Sequence, residues 1–171
     1  MKRLGLAALA GSALVVLQTS LGGAAGVAGL RPDLLLLFVL AAGMRAGEGA
    51  GAAWGIALGF AQDTFSAGLP GSGVLTKGLA GFAAGSLREQ LDCENPNTQA
   101  LVAVVATLAD GAAHLVLLAV FSEGGRFLAP LLGTVLPAAA AHGALLPAAF
   151  AAQRAFARRL ARRAAAAAAA S

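Results

Sequence analysis

The chain has 171 residues, of which 58% are hydrophobic and 12% charged, with a mean hydropathy of +0.79 and a formal net charge of +4. A water-soluble domain carries about 25% charged residues, so composition excludes an ordinary soluble globular fold. At about 20 apolar residues per spanning helix, six spans leave no length for a separate catalytic domain, and the sequence holds no GxxxxGK[ST], HExxH or GxSxG motif.

Apolar runs bounded by charge, Gly or Pro fall at about 4–27, 32–44, 48–65, 71–87, 98–121 and 127–153. They predict an all-α membrane protein of six transmembrane helices, a single domain over 1–153, followed by an Arg-rich and Ala-rich cytoplasmic tail over 154–171. The first run follows Lys2 and Arg3 and so also has the form of a secretory signal, with GGAAGVAG as a cleavage-like stretch. Its apolar character continues for about 24 residues, beyond the 7–15 of a signal's apolar region. We read it as a retained span.

The second run opens on Pro32 and Asp33. Proline suits a first helical turn, and a carboxylate there complements the positive end of the helix dipole. From Arg45 to Glu48 there is room only for a tight hairpin. Gly43, Gly47, Gly51, Gly55 and Gly59 then recur every four residues, and Gly81 and Gly85 repeat the device in the fourth run. Such faces let another backbone approach closely. Spacing leaves open whether Gly51, Gly55, Gly59, Gly81 and Gly85 pack within the bundle or present a face to another protein.

The connection SAGLPGSG carries turn residues and no charge. Opposite it, LREQLDCENPNTQ is the one strongly polar loop, either a contact surface or a solvated turn. Cys93 within it is the single cysteine, which excludes an intrachain disulfide and any paired-thiol metal site.

A six-span layout with the N-terminus inside places Lys2, Arg3, Arg45, Arg88, Arg154, Arg158, Arg159, Arg162 and Arg163 in the cytoplasm, with Arg31 and Arg126 outside. That is a positive-inside distribution. The tail segment RAFARRLARR faces anionic lipid, at about 1 kcal/mol per basic residue near the surface, and is not a nucleic-acid footprint. The closing AAAAAAAS is a low-complexity helical extension.

Asp63, Lys77, Asp110, His114 and His142 fall inside or at the edge of apolar runs, where each needs a partner. Asp63, Lys77, Asp110 and His114 form an expected polar cluster in the outer half of the bundle. Asp110 and His114, four apart, share a helix face, and either Asp63 or Asp110 is placed to neutralise Lys77. The set is either a buried pair that fixes helix register or the lining of a ligand site. His142 reads as a helix-packing residue. No metal site, cofactor or catalytic constellation is expected, because Ser66, Ser72 and Ser86 lack a nucleophile context and i,i+4 spacing alone is a weak metal signal.

Residues 31–87, RPDLLLLFVLAAGMRAGEGAGAAWGIALGFAQDTFSAGLPGSGVLTKGLAGFAAGSL, carry a further pattern. A PDLLL helix start is followed by a basic and acidic hairpin turn and a glycine-repeat helix ending in Asp63. A Gly/Ser/Pro loop then leads to Lys77 and GxxGxxxG. This order resembles the rod shape-determining protein MreD family, with Asp33, Asp63 and Lys77 the most informative positions. The final run and tail are richer in Ala than that pattern. The resemblance implies a non-enzymatic subunit of the bacterial inner membrane that binds MreC. Through that complex it would help couple the MreB cytoskeleton to the peptidoglycan synthases RodA and penicillin-binding protein 2, and so to cell shape. It also implies a bundle similar to the substrate-binding subunits of energy-coupling-factor transporters. The alternative function is a small-molecule, vitamin-type binding subunit of a transporter, with Asp63, Lys77, Asp110 and His114 lining its pocket.

Overall fold

The computed structural model describes Gln18 and residues 32–65, 70–121 and 128–169. The first predicted span, apart from Gln18, lies outside the described residues, as do Arg31 and Arg126. Among the described residues the chain is helical throughout, with no strand. Helix α1 covers Leu34–Ala46, α2 Glu48–Phe65, α3 Ser72–Ser86 and α4 Pro96–Phe121. A turn at Leu128–Pro130 and a π-helical turn at Leu131–Val135 lead into α5, Leu136–Ala169. Two stretches, Pro96–Leu117 and Leu131–Arg159, are long and apolar enough to cross a membrane.

Local chemistry sets the helix ends. Asp33 caps α1 with its carboxylate on the Leu36 amide at 3.0 Å. Gly47 closes α1 at φ +91° and returns its N–H to the Gly43 carbonyl at 2.9 Å. That left-handed geometry favours glycine, and α2 starts on the next residue. Asn95 accepts the Asn97 amide at 2.9 Å, capping α4 ahead of Pro96, whose missing N–H costs nothing at a first helical position.

The centre of the molecule is α1. Seven of its thirteen residues are buried, which accounts for a run, LLLLFVL, that is apolar on every side. One face joins Leu36, Leu37, Leu40 and Met44 to Ala84 of α3, Ala103 of α4 and Leu146 and Phe150 of α5. The other packs Leu35 and Val39 on Leu58 of α2, where Phe38 and Trp54 meet edge to face at 5.4 Å.

Around this strut the helices form two groups, α2 packing intimately on α3 while α4 packs on α5. Glycine dictates the first contact. A Cβ added at Gly51, Gly55 or Gly59 would come within 3.0 Å of the backbone of Gly81, Lys77 or Gly73, and one at Gly81 or Gly85 would meet Gly51 or Glu48 as closely. No other residue lets the two backbones lie so near. Many large side chains face outward, including Ile56, Phe60, Leu79, Leu101, Val105 and Val116, as expected where lipid is the solvent.

Candidate functional site

A polar network sits at the start of α1. Lys77 projects from the middle of α3, has no solvent exposure, and places Nζ 2.6 Å from Asp33 Oδ2. The other carboxylate oxygen, Oδ1, accepts the Leu36 amide and, at 3.1 Å, the Gln18 side-chain amide. Gln18 in turn accepts the Leu35 N–H at 3.1 Å. The Asp33 carboxylate therefore serves as helix cap and as counter-ion at once. A buried charge is tolerated only when paired and hydrogen-bonded in this way.

From the opposite side, α5 contributes His142, which is 1% exposed. Its Nε2 accepts the backbone N–H of Asp33 at 2.8 Å. That contact assigns the ring proton to Nδ1, which lies 2.8 Å from Thr107 Oγ1 and donates to it. The Thr107 hydroxyl then donates to the Ala103 carbonyl at 2.6 Å. A neutral His142 completes the chain, since a proton on Nε2 would face the Asp33 donor.

Asp63, at the end of α2, has a different task. Gly71, which precedes α3, has no side chain with which to cap it, and Asp63 reaches across instead. Its oxygens accept the amides of Gly71 at 2.9 Å, Gly73 at 3.0 Å and Val74 at 3.2 Å. A carboxylate holding three free amides at a helix N-terminus satisfies the orphan donors and the dipole together. We expect Asp63→Ala to lower the stability of the protein in detergent by about 1–2 kcal/mol, with Asp63→Asn losing less. Equal melting temperatures for Asp63→Ala and the parent would refute that role.

Asp110 and His114 share a face of α4. His114 Nδ1 lies 3.9 Å from Asp110 Oδ2, and its Nε2 lies 3.5 Å from Ser72 Oγ at the start of α3. The order Ser, His, Asp is that of an acyl-transfer triad, but the amides around Ser72 that would hold an oxyanion are spent on the Asp63 carboxylate. Asp110 Oδ1 and Thr76 Oγ1 are buried and make no hydrogen bond. Both line an apolar groove of about 640 Å³ between α3 and α4, with Leu40 of α1 at its base.

At the other end of the helices a clasp ties the polar loop to α5. Arg45 stacks over the Phe150 ring at 4.1 Å and donates to Gln153. Arg154 pairs with Glu94 at 2.8 Å and donates to the Glu94 carbonyl at 3.1 Å. Gln99, fully buried, donates to the Cys93 carbonyl at 2.8 Å. Burial pushes the Cys93 thiol above its ordinary range, with Asp92 and Glu94 adding to the push against Arg88. Less thiolate is present at neutral pH, so Cys93 should react with maleimide more slowly than an unfolded cysteine. The gap should close as pH rises, and equal rates at pH 7 would contradict the shift.

The residues singled out from the sequence thus divide into three places. Lys77 joins Asp33, which the sequence marked as a helix-start carboxylate, in place of Asp63 or Asp110 as its contact. Asp110 and Asp63 still stand near enough to act on Lys77 electrostatically. Asp63 caps α3, while Asp110 is among the residues lining the groove and His114 lies between Asp110 and Ser72. Gly51, Gly55, Gly59, Gly81 and Gly85 lie between α2 and α3. Sequence reasoning did not place Gln18, Thr107 or His142 in the network. The available signals were His142 itself, a polar residue in an apolar run, and the backbone N–H of Asp33, which precedes a helix and requires an acceptor from elsewhere.

A family model described as rod shape-determining protein MreD matches residues 6–128. No curated protein and no solved structure matches.

Proposed function

Because the chain belongs to the rod shape-determining protein MreD family, a structural component of cell-shape determination, we propose that it is a non-enzymatic scaffold of the cell-elongation complex in the bacterial inner membrane. In this reading residues 1–153 form a six-span bundle with both termini cytoplasmic, similar to the substrate-binding subunits of energy-coupling-factor transporters. The bundle binds MreC and so helps couple the MreB cytoskeleton to RodA and penicillin-binding protein 2. The basic residues of the tail rest on anionic lipid.

The observation that carries the proposal is the family match over 123 consecutive residues, 6–128. The chemistry is compatible with it. The buried Asp33–Lys77 pair, the Asp63 cap and the glycine contact all tie helix to helix, which suits a rigid platform. Two apolar helices long enough to cross the bilayer suit a membrane location.

The test is affinity isolation of the C-terminally tagged chain from its native membrane in mild detergent, followed by mass spectrometry of what stays attached. The proposal expects MreC together with cell-wall synthases, and rounding of cells depleted of the chain. Recovery of transporter ATPase subunits and unchanged cell shape on depletion would overturn it.

A further inference from the structure

Three places where an apolar run ends come together at the clasp. Arg45 lies in the last turn of α1, Glu94 stands just ahead of the apolar stretch Pro96–Leu117, and Arg154 falls where α5 passes from Ala and Leu into arginine. In the six-span reading these ends lie at the level of the inner headgroups. Arg45 donates to Gln153 and stacks on Phe150 but meets no carboxylate. Arg154 donates to the Glu94 carboxylate at 2.8 Å, and both stand near enough to act on Arg45 electrostatically. Two guanidiniums thus share one carboxylate, and one positive charge is left over.

The helix does not stop there. It runs unbroken to Ala169, so Arg158 and Arg162 continue the face of Arg154 at one and two turns. Both are exposed, and among the described residues neither has an ion-pair partner. Glu94 is a weak holder of Arg154, because its side chain is 77% exposed and an ion pair so open to water contributes little. A lipid phosphate offers the same guanidinium a stronger, two-pronged acceptor. Glu89 and Asp92 belong to the same loop as Glu94, so an anionic surface repels that loop while it attracts α5.

We propose that Arg45 and Arg154, extended by Arg158, bind the phosphate of an anionic lipid headgroup, and that the Glu94 carboxylate holds Arg154 until such a lipid displaces it. The site rests on the reading that the basic tail meets anionic lipid, and adds to it a residue of α1 and an internal competitor. Displacement releases the polar loop from α5, so binding of the lipid and freeing of the loop are one event.

The full chain in neutral detergent micelles is titrated with phosphatidylglycerol, with phosphatidylcholine and with inorganic phosphate, and native mass spectrometry counts the lipid retained. A single phosphatidylglycerol is expected to stay bound, with phosphatidylcholine lost. Arg45→Gln and Arg154→Gln should each weaken retention about five-fold, the equivalent of one basic residue at a lipid surface. Glu94→Gln should strengthen it by a similar factor, a gain that misfolding does not produce, and the gain should vanish when Arg154→Gln is also present. Were Glu94 only a structural tie, Glu94→Gln would weaken retention or leave it unchanged, and the proposal would fall.

Equal retention of phosphatidylcholine, or displacement of the lipid by inorganic phosphate at matched concentration, would overturn the assignment to an anionic lipid. So would a soluble acidic protein held through Arg45 and Arg154, with no lipid, in the chain drawn from its own membrane. If Arg158→Gln, Arg159→Gln and Arg162→Gln together abolish retention while Arg45→Gln changes nothing, the site fails and the tail reading stands. If neither change matters, both fail.

Discussion

Replacing Lys77 by Met is expected to destabilise the protein by about 3–5 kcal/mol, the cost of leaving one partner of a buried ion pair uncompensated. The Lys77 side chain has no exposure and the Asp33 side chain is 19% exposed, with Oδ1 held by Leu36 and Gln18, so removing the ammonium leaves Oδ2 without its counter-ion. Asp33→Asn alone should also destabilise, because it strands the ammonium. The double variant Asp33→Asn with Lys77→Met keeps an acceptor for the Leu36 amide and removes both charges. It should recover most of the loss, since an apolar replacement of a whole buried pair is often neutral or better. Denaturation of the three variants in mixed detergent micelles gives the coupling energy directly. Additive losses would mean that the two groups do not act as a pair in the membrane. An ion pair of this kind ties the start of α1 to the middle of α3, so its loss should loosen both walls of the central strut.

The pair shows what a single sequence displays and what it withholds. Apolar runs bounded by Gly, Pro and charge mark helices, and residues 48–65 fold as α2 over Glu48–Phe65. The glycine spacing shows which face of α2 allows close approach, because a four-residue period is a property of one helix. Lys77 and Asp33 are 44 positions apart on different helices, and no periodicity says which faces meet. The role of Asp63 was hidden for a related reason. A carboxylate inside an apolar run suggests an ion partner, whereas the need it meets lies in the next helix, where Gly71 and Gly73 leave the first turn of α3 without a cap of its own. His142 was hidden by its surroundings. In an Ala-rich run a lone His has nothing nearby in sequence to pair with, and its partners Asp33 and Thr107 come from two other helices. Residues 154–169 continue α5 because Ala, Arg and Leu favour helix and no breaker intervenes.

Gly55→Ala is expected to be strongly disruptive, and Gly49→Ala in the same helix benign. At Gly55 an added Cβ meets the carbonyl group of Lys77 and the Cα of Gly78 at separations that Cβ atoms do not adopt. Those atoms are backbone in the middle of α3, so no rotamer change relieves the clash, and the two helices must separate along their length. Overpacking of a well-packed interior costs about 1–3 kcal/mol and more where the neighbours cannot move. Here separation would also pull Lys77 away from Asp33, adding part of the ion-pair loss. At Gly49 nothing lies within 4 Å of the added atom, and replacing a helical glycine by alanine contributes up to about 1 kcal/mol of helix propensity. The sign of the effect should therefore reverse over six residues of α2. The same denaturation assay, run on Gly49→Ala, Gly55→Ala and the pair together, decides the matter. Similar small effects at both positions would mean that α2 and α3 do not make this contact, and the glycine faces would then be open to a partner. Loss of stability at Gly55 with a gain at Gly49 would mean that the glycine face of α2 is spent on its contact with α3.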